Sequence, residues 1–255
     1  VLTVTHNGYI KRTNINTYRT QRRGGRGVKG AGAREEDFIE HLFTASTHSY
    51  ILFFTDKGKC HWVKVYDIPE GGRAAKGRAI INLIECETDE KVNAFIPVKE
   101  FSEDHYVVMA TEKGIVKKTV LSAYSRPRKK GIYAVEIREG DKLVEARVST
   151  GDNDILLGTR NGKSIRFSEQ QIRPSGRKTM GVKGITLSSK DDKVVGMLLI
   201  KREGTTVLVA TEKGFGKRTD ISQYRAQKRG GKGVLTMKTT DKVGKMVTIK
   251  EVLDT

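Results

Sequence analysis

The chain reads as an all-β protein, a propeller-like ring of four-stranded blades. One cadence occurs five times, its copies are evenly spaced, and helical periodicity is almost absent. Each copy is a strand ending in Thr, a three-residue turn closed by Gly, and a second, mostly basic strand. The copies span residues 4–8, 54–58, 110–114, 158–162 and 210–214, and their turn glycines step by 50, 56, 48 and 52 residues. Glycine at the end of a short polar hairpin supplies the positive φ such turns need. A second glycine follows each first one by 17 or 19 residues: Gly27, Gly77, Gly131, Gly181 and Gly233.

Beyond the second glycine come two more strand-like runs per repeat, clearest at 80–84 with 92–98, 133–137 with 143–149, and 182–187 with 194–200. Four strands in each stretch of about fifty residues is the sequence form of a bladed ring. The reading is a single domain over 1–255, with repeats at roughly 1–46, 47–100, 101–150, 151–200 and 201–255. The segment 35–46 spaces Phe38, Ile39, Leu42 and Phe43 compatibly with a helix. The other repeats place strands at that point, so a connector followed by a strand is expected there.

Net charge is +18, from 48 basic and 30 acidic side chains, which points to a nucleic acid or another anionic surface. The charge is concentrated in one equivalent loop per repeat. Residues 18–34 carry six bases and no acid, among them Arg22, Arg23, Arg26, Lys29 and Arg34. Residues 67–78 carry Arg73, Lys76 and Arg78 against two acids. Three further loops hold four bases each and no acid: Arg126, Arg128, Lys129 and Lys130 in 125–131; Arg173, Arg177, Lys178 and Lys183 in 173–184; and Arg225, Lys228, Arg229 and Lys232 in 225–233. The five loops net +19, so the other 198 residues are about neutral. Equivalent loops in a ring fall on one circumference and make a positive belt, weakest at the second loop. Lys11-Arg12, Lys117-Lys118 and Lys217-Arg218 on the second strands are expected to add to it. A curved cationic rim neutralises phosphates on the inner face of a bent duplex without reading bases. Aromatic residues are too few (7%) for a single-strand stacking platform.

Other chemistry finds little support. The GxGxxG at 25–30 lacks the strand, helix and distal acid of a dinucleotide site, and 158–164 is one residue short of a P-loop and lies in a hairpin. Single RGG triplets framed by apolar runs are unlike tandem RGG tails. Cys60 and Cys86 have no CxxC spacing and the five histidines form no metal pattern, so no cofactor or metal is expected and the thiols fit a reducing cytoplasm. No apolar run approaches the roughly 18 residues of a membrane span; the expectation is a soluble, intracellular protein with no membrane partner. The acidic cluster Glu85, Glu87, Asp89 and Glu90 has no metal-loop spacing, and Trp62 and Tyr66 read as packing residues.

Two heptads say nearly the same thing: Gln21-Arg22-Arg23-Gly24-Gly25-Arg26-Gly27 and Gln227-Lys228-Arg229-Gly230-Gly231-Lys232-Gly233. Both resemble the gyrase-A box, the hallmark of the C-terminal domain of the DNA gyrase A protein. Gly8-Tyr9-Ile10-Lys11-Arg12-Thr13, Val116-Lys117-Lys118-Thr119, Ser164-Ile165-Arg166-Phe167 and Gly216-Lys217-Arg218-Thr219 agree, so the resemblance covers essentially the whole chain. It implies a β-pinwheel, a disc whose blades exchange strands and which wraps double-stranded DNA around its rim. It also implies partners: the rest of gyrase A, together with gyrase B, in an A2B2 holoenzyme of the bacterial cytoplasm, associated with the nucleoid. That holoenzyme uses ATP and Mg2+ in other domains to introduce negative supercoils, and no catalysis is expected from this chain alone. Wrapping in this family depends on the first box, here Gln21 to Gly27. The bases of each box are expected on phosphates, the double glycine in a turn, and Gln21 or Gln227 holding the loop or a phosphate. Gyrase discs typically have six blades and five are visible here, leaving either a sixth beyond Thr255 or a five-bladed disc. Alternatives are the topoisomerase IV C-terminal domain, which presents DNA for strand passage, and a propeller that binds an acidic protein or RNA.

Overall fold

The Thr–turn–Gly cadence closes a tight hairpin by two local hydrogen bonds. The amide of each turn glycine donates to the carbonyl of the Thr, at 2.9–3.0 Å for Gly8, Gly58, Gly114, Gly162 and Gly214. In the first four hairpins the next amide donates to the Thr hydroxyl, as Tyr9 does to Thr5 at 3.2 Å. The computed structural model describes residues 1–17, 37–87, 89–201 and 204–252.

Five such hairpins nucleate five antiparallel sheets. The first holds β1 (Leu2–Thr5), β2 (Tyr9–Arg12) and β3 (Ile39–Phe43), and the second β4 (Tyr50–Thr55), β5 (Lys59–Lys64) and β7 (Val92–Val98). The third holds β8 (Tyr106–Thr111), β9 (Ile115–Val120) and β11 (Leu143–Ser149), and the fourth β12 (Asp154–Thr159), β13 (Lys163–Ser168) and β15 (Val194–Ile200). The fifth holds β16 (Thr206–Thr211), β17 (Gly216–Asp220) and β19 (Met246–Val252). Each fourth strand is two residues long and comes from the next repeat. β6 (Arg78–Ala79) pairs with β2, β10 (Ile132–Tyr133) with β5, β14 (Val182–Lys183) with β9, and β18 (Val234–Leu235) with β13. Among the described residues the fifth sheet has three strands, and β17 is its outer edge.

The strand exchange corrects one expectation. The runs at 133–137 and 182–187 contribute only two-residue strands, both to the preceding blade, and 80–84 is mainly a 3-10 turn, Ile80–Asn82. The segment 35–46 does carry a strand, β3. The exchanged strands are locked by backbone bonds: the amides of Ala134, Gly184 and Thr236 donate to the carbonyls of Gly58, Gly114 and Gly162 at 2.7–2.8 Å.

β7, β11, β15 and β19 pack against one another in succession, which puts the third strand of each repeat at the centre and the exchanged strand at the rim. The apolar core lies between consecutive blades. Ile10 and Val4 meet Phe53 and Val63; Phe54 and Leu52 meet Met109 and Tyr124; Val108 and Val116 meet Leu157 and Phe167; Leu156 meets Val207 and Val209. Burying each such side chain contributes about 1.5–3 kcal/mol, so the ring holds together by its blade-to-blade contacts.

Candidate nucleic-acid interface

Each of the last four basic loops leaves a second strand through a 3-10 turn and ends on a rim strand of the preceding blade, so each bridges two neighbouring blades. The second glycine marks the crossing. Gly77, Gly181 and Gly233 have φ of 85°, 97° and 69°. A Cβ there would sit 2.4–2.5 Å from the carbonyl oxygens of Ile10, Val116 and Ser164 on the neighbouring hairpin. Only glycine fits so close an approach with that φ.

The loops present most of the expected cations to solvent. Arg78, Arg126, Arg128, Lys129, Lys130, Arg173, Lys178, Lys183, Arg225, Lys228 and Lys232 are exposed, and Arg73, Lys76, Arg177 and Arg229 are partly so. Lys129 also reaches Glu85 at 3.1 Å, and Lys76 lies 3.9 Å over the Tyr9 ring. The first box, Gln21, Arg22, Arg23, Gly24, Gly25, Arg26 and Gly27, together with Lys29 and Arg34, lies outside the described residues.

Of the second-strand bases, Lys11, Lys117 and Lys118 depart from the expectation that they join the belt, whereas Lys217 and Arg218 do not. Lys11 is buried, its ammonium donating to the carbonyls of Gly72 at 3.0 Å and Arg73 at 2.5 Å. Lys117 is 1% exposed and donates to the carbonyls of Ala134 and Arg177, both at 2.6 Å. Burial, and then the nearby charge of Arg177, push the Lys117 pKa down to about 7; burial also lowers that of Lys11. Both ammonium groups therefore hold the next loops in place from inside. Lys118 is buried too, 3.4 Å from Glu169, whose carboxylate also accepts from Ser149 at 2.5 Å and from the Asn153 amide at 2.9 Å. Arg12 donates to Ile68 O at 2.7 Å and pairs with Glu70 at 2.8 Å. Lys217 and Arg218 are exposed on β17, the first 3.3 Å from Thr236 O and the second donating to Thr206 Oγ1 at 2.6 Å. His61 takes the same place as Lys11 and Lys117, its ring against Gly131, with a pKa lowered by burial.

The second box divides its labour. Gly230 has φ 82° and donates to Gly184 O at 2.7 Å, fixing the turn to the preceding repeat. Arg229 donates to Lys183 O at 2.6 Å and Gln171 O at 3.3 Å, so its guanidinium stitches two repeats; Arg177 does the same to Tyr133 O at 3.2 Å. Gln227 holds the loop through its backbone, donating to Arg166 O at 2.8 Å. Gln171 and Thr186 complete the support. The Gln171 side chain accepts from the Arg229 amide at 2.8 Å, and Thr186 donates to Gly230 O at 2.7 Å. Neither is legible in sequence, because each lies more than forty residues from the box it supports and carries no distinctive spacing. Lys228 and Lys232 remain on the outside. No group of three or more His, Cys, Asp or Glu among the described residues could hold a metal ion.

A ring of strand-exchanging blades with basic loops across its rim junctions defines a class of bladed domains. The family described as DNA gyrase C-terminal domain, beta-propeller, matches residues 1–46, 49–99, 105–150, 153–201 and 205–252, and the chain belongs to it. It is 50% identical over 254 residues to the DNA gyrase A protein of Clostridium acetobutylicum and 48% identical to that of Staphylococcus epidermidis. It covers 30% and 28% of those relatives, while they cover 100% and 99% of it. The chain thus spans less than a third of the length of these curated relatives. Among solved structures, the C-terminal domain of DNA topoisomerase IV aligns with TM-score 0.82 and 27% identity, covering 99% of this chain and 77% of that one. The DNA gyrase A C-terminal domain aligns with TM-score 0.80 and 24% identity, covering 99% of this chain and 82% of that one, a likeness of fold.

Proposed function

We propose that this chain binds and bends duplex DNA around its rim without reading sequence, and that as part of a gyrase A protein it wraps DNA so that the ATP-dependent holoenzyme formed with gyrase B introduces negative supercoils. The observation that carries this reading is the run of solvent-facing cations on successive blade-bridging loops of an otherwise neutral chain. Phosphate contacts need charge and reach rather than a groove-shaped reader. Among the described residues the fold offers no helix or ribbon to enter a major groove; its rim strands are two residues long.

If the loops from four blades each neutralise two phosphates, eight contacts give a log–log salt slope of about −7 and an affinity loss of roughly 10⁴-fold between 50 and 200 mM salt. Filter binding or anisotropy across that range measures the slope, and a flat dependence rejects the rim. Wrapping is tested separately: relaxed circular DNA is incubated with the chain, relaxed again and deproteinised. A changed linking number supports wrapping. Binding without a topology change favours the second reading, presentation of DNA as in topoisomerase IV, to which the similarity in fold at TM-score 0.82 lends weight.

A further inference from the structure

The outermost strand pair of each of the first four blades repeats a second pattern, distinct from the loops. Residues facing each other across an antiparallel pair share one side of the sheet. In blade three Ile115 faces Lys183, and in blade four Lys163 faces Leu235. In blade two Lys59 faces Tyr133. In blade one Tyr9 faces Ala79, and the cation comes from the loop, with Lys76 lying 3.9 Å over the Tyr9 ring. Each rim position therefore sets one ammonium beside one apolar side chain. Tyr133 and Leu235 are 54% and 57% exposed although apolar. Single exposed apolar residues are ordinary; their recurrence at one register position, each beside a lysine on the most basic edge of the molecule, is not.

We propose that these pairs form a second, non-ionic contact with the wrapped duplex, the lysine on a phosphate and its apolar neighbour on the adjoining deoxyribose. The proposal rests on the wrapping reading. A duplex bent toward the rim compresses the groove that faces the protein, which brings sugar C–H surface toward the rim, where an apolar side chain gains by excluding water. Lysine serves the phosphate as a compact point charge and needs no fork geometry. In blade two only the apolar half of the pair is available, because the Lys59 ammonium is held by Glu87 at 2.7 Å. The contacts that matter most are therefore Tyr133 and Leu235 for the sugar, with Lys163 and Lys183 for the phosphate.

The test is duplex affinity against salt concentration for the wild type, for Tyr133→Ala with Leu235→Ala, and for Lys163→Gln with Lys183→Gln. The apolar double variant should bind about tenfold more weakly at every salt concentration with an unchanged slope, from the loss of about 30 Å² of apolar burial per side chain. The lysine double variant should lose about 1.8 from the slope. Tyr133→Phe with Leu235→Met should restore affinity, which separates contact from misfolding. A Tyr133/Leu235 variant that matches the wild type at all salts overturns the paired contact while leaving wrapping intact. A wild type that binds no duplex, or that prefers polyglutamate in competition, overturns both.

Discussion

Lys117 offers a quantitative test of how the loops are held. Its ammonium donates to Ala134 O and Arg177 O, with the Arg177 charge opposing it, and its pKa is lowered to about 7. In the unfolded chain a lysine titrates near 10.4. Between these values the unfolded state holds a proton that the folded state has released, so stability rises with pH. The contribution is complete above about pH 10.4 and is lost as pH falls through 7. From pH 7 to pH 9 the expected gain is about 2 kcal/mol, at 1.36 kcal/mol per unit after rounding near the lower value. Cys60 and Tyr124, the ionisable neighbours in this core, have pKa values raised by burial, which keeps them neutral across that window. Lys117→Met keeps the volume and removes the titration. Urea unfolding of both proteins at several pH values measures the difference, with other groups cancelling between them. A wild-type-minus-variant difference that stays constant from pH 7 to pH 9 refutes the reasoning.

Two further perturbations probe the scaffold. Gly233→Ala should destabilise by about 3 kcal/mol, because its Cβ would meet Ser164 O at 2.5 Å in a left-handed conformation. Gly8→Ala, with open space around it, should cost only about 1 kcal/mol; equal melting shifts would contradict the close-approach account. Glu169→Ala should cost about 3–5 kcal/mol by leaving the Lys118 charge buried without its partner, and Lys118→Met combined with Glu169→Leu should recover most of it. A double-mutant cycle in urea checks the coupling.

The repeat is legible in the sequence because its determinants are local. The third strands of repeats two, three and four fall at Val92–Val98, Leu143–Ser149 and Val194–Ile200, where apolar runs stand between polar turns. The rim strands are shorter than their apolar runs suggest. Two residues of pairing with a neighbouring hairpin leave no periodicity, and the apolar residues that follow them pack as irregular chain. The lysines are harder. A lysine on a strand looks the same whether its ammonium reaches water or a carbonyl of the next repeat. One signal is available in the first four repeats: the third position after the turn glycine is Lys11, His61, Lys117 and Ile165, all buried, and the isoleucine marks the site as interior; Lys217, at the same place on the edge strand of the fifth sheet, is exposed. That sorting divides the cations into inner anchors and outer contacts, and it lowers the number of bases the rim can offer.

The crossing of each loop onto the preceding blade has a mechanical side. A duplex wound against the rim, as proposed above, would pull outward on whatever touches its phosphates. Each described basic loop is tethered at one end by its own hairpin and at the other by a rim strand in the preceding sheet. Tension at one phosphate is thus divided between two adjacent blades and draws them toward each other, much as a lashing tightens under load. The two-residue rim strands are the weakest stitches in that lashing. The carbonyl-bound guanidinium groups of Arg177 and Arg229 lie beside two of them, as backstitches against peeling.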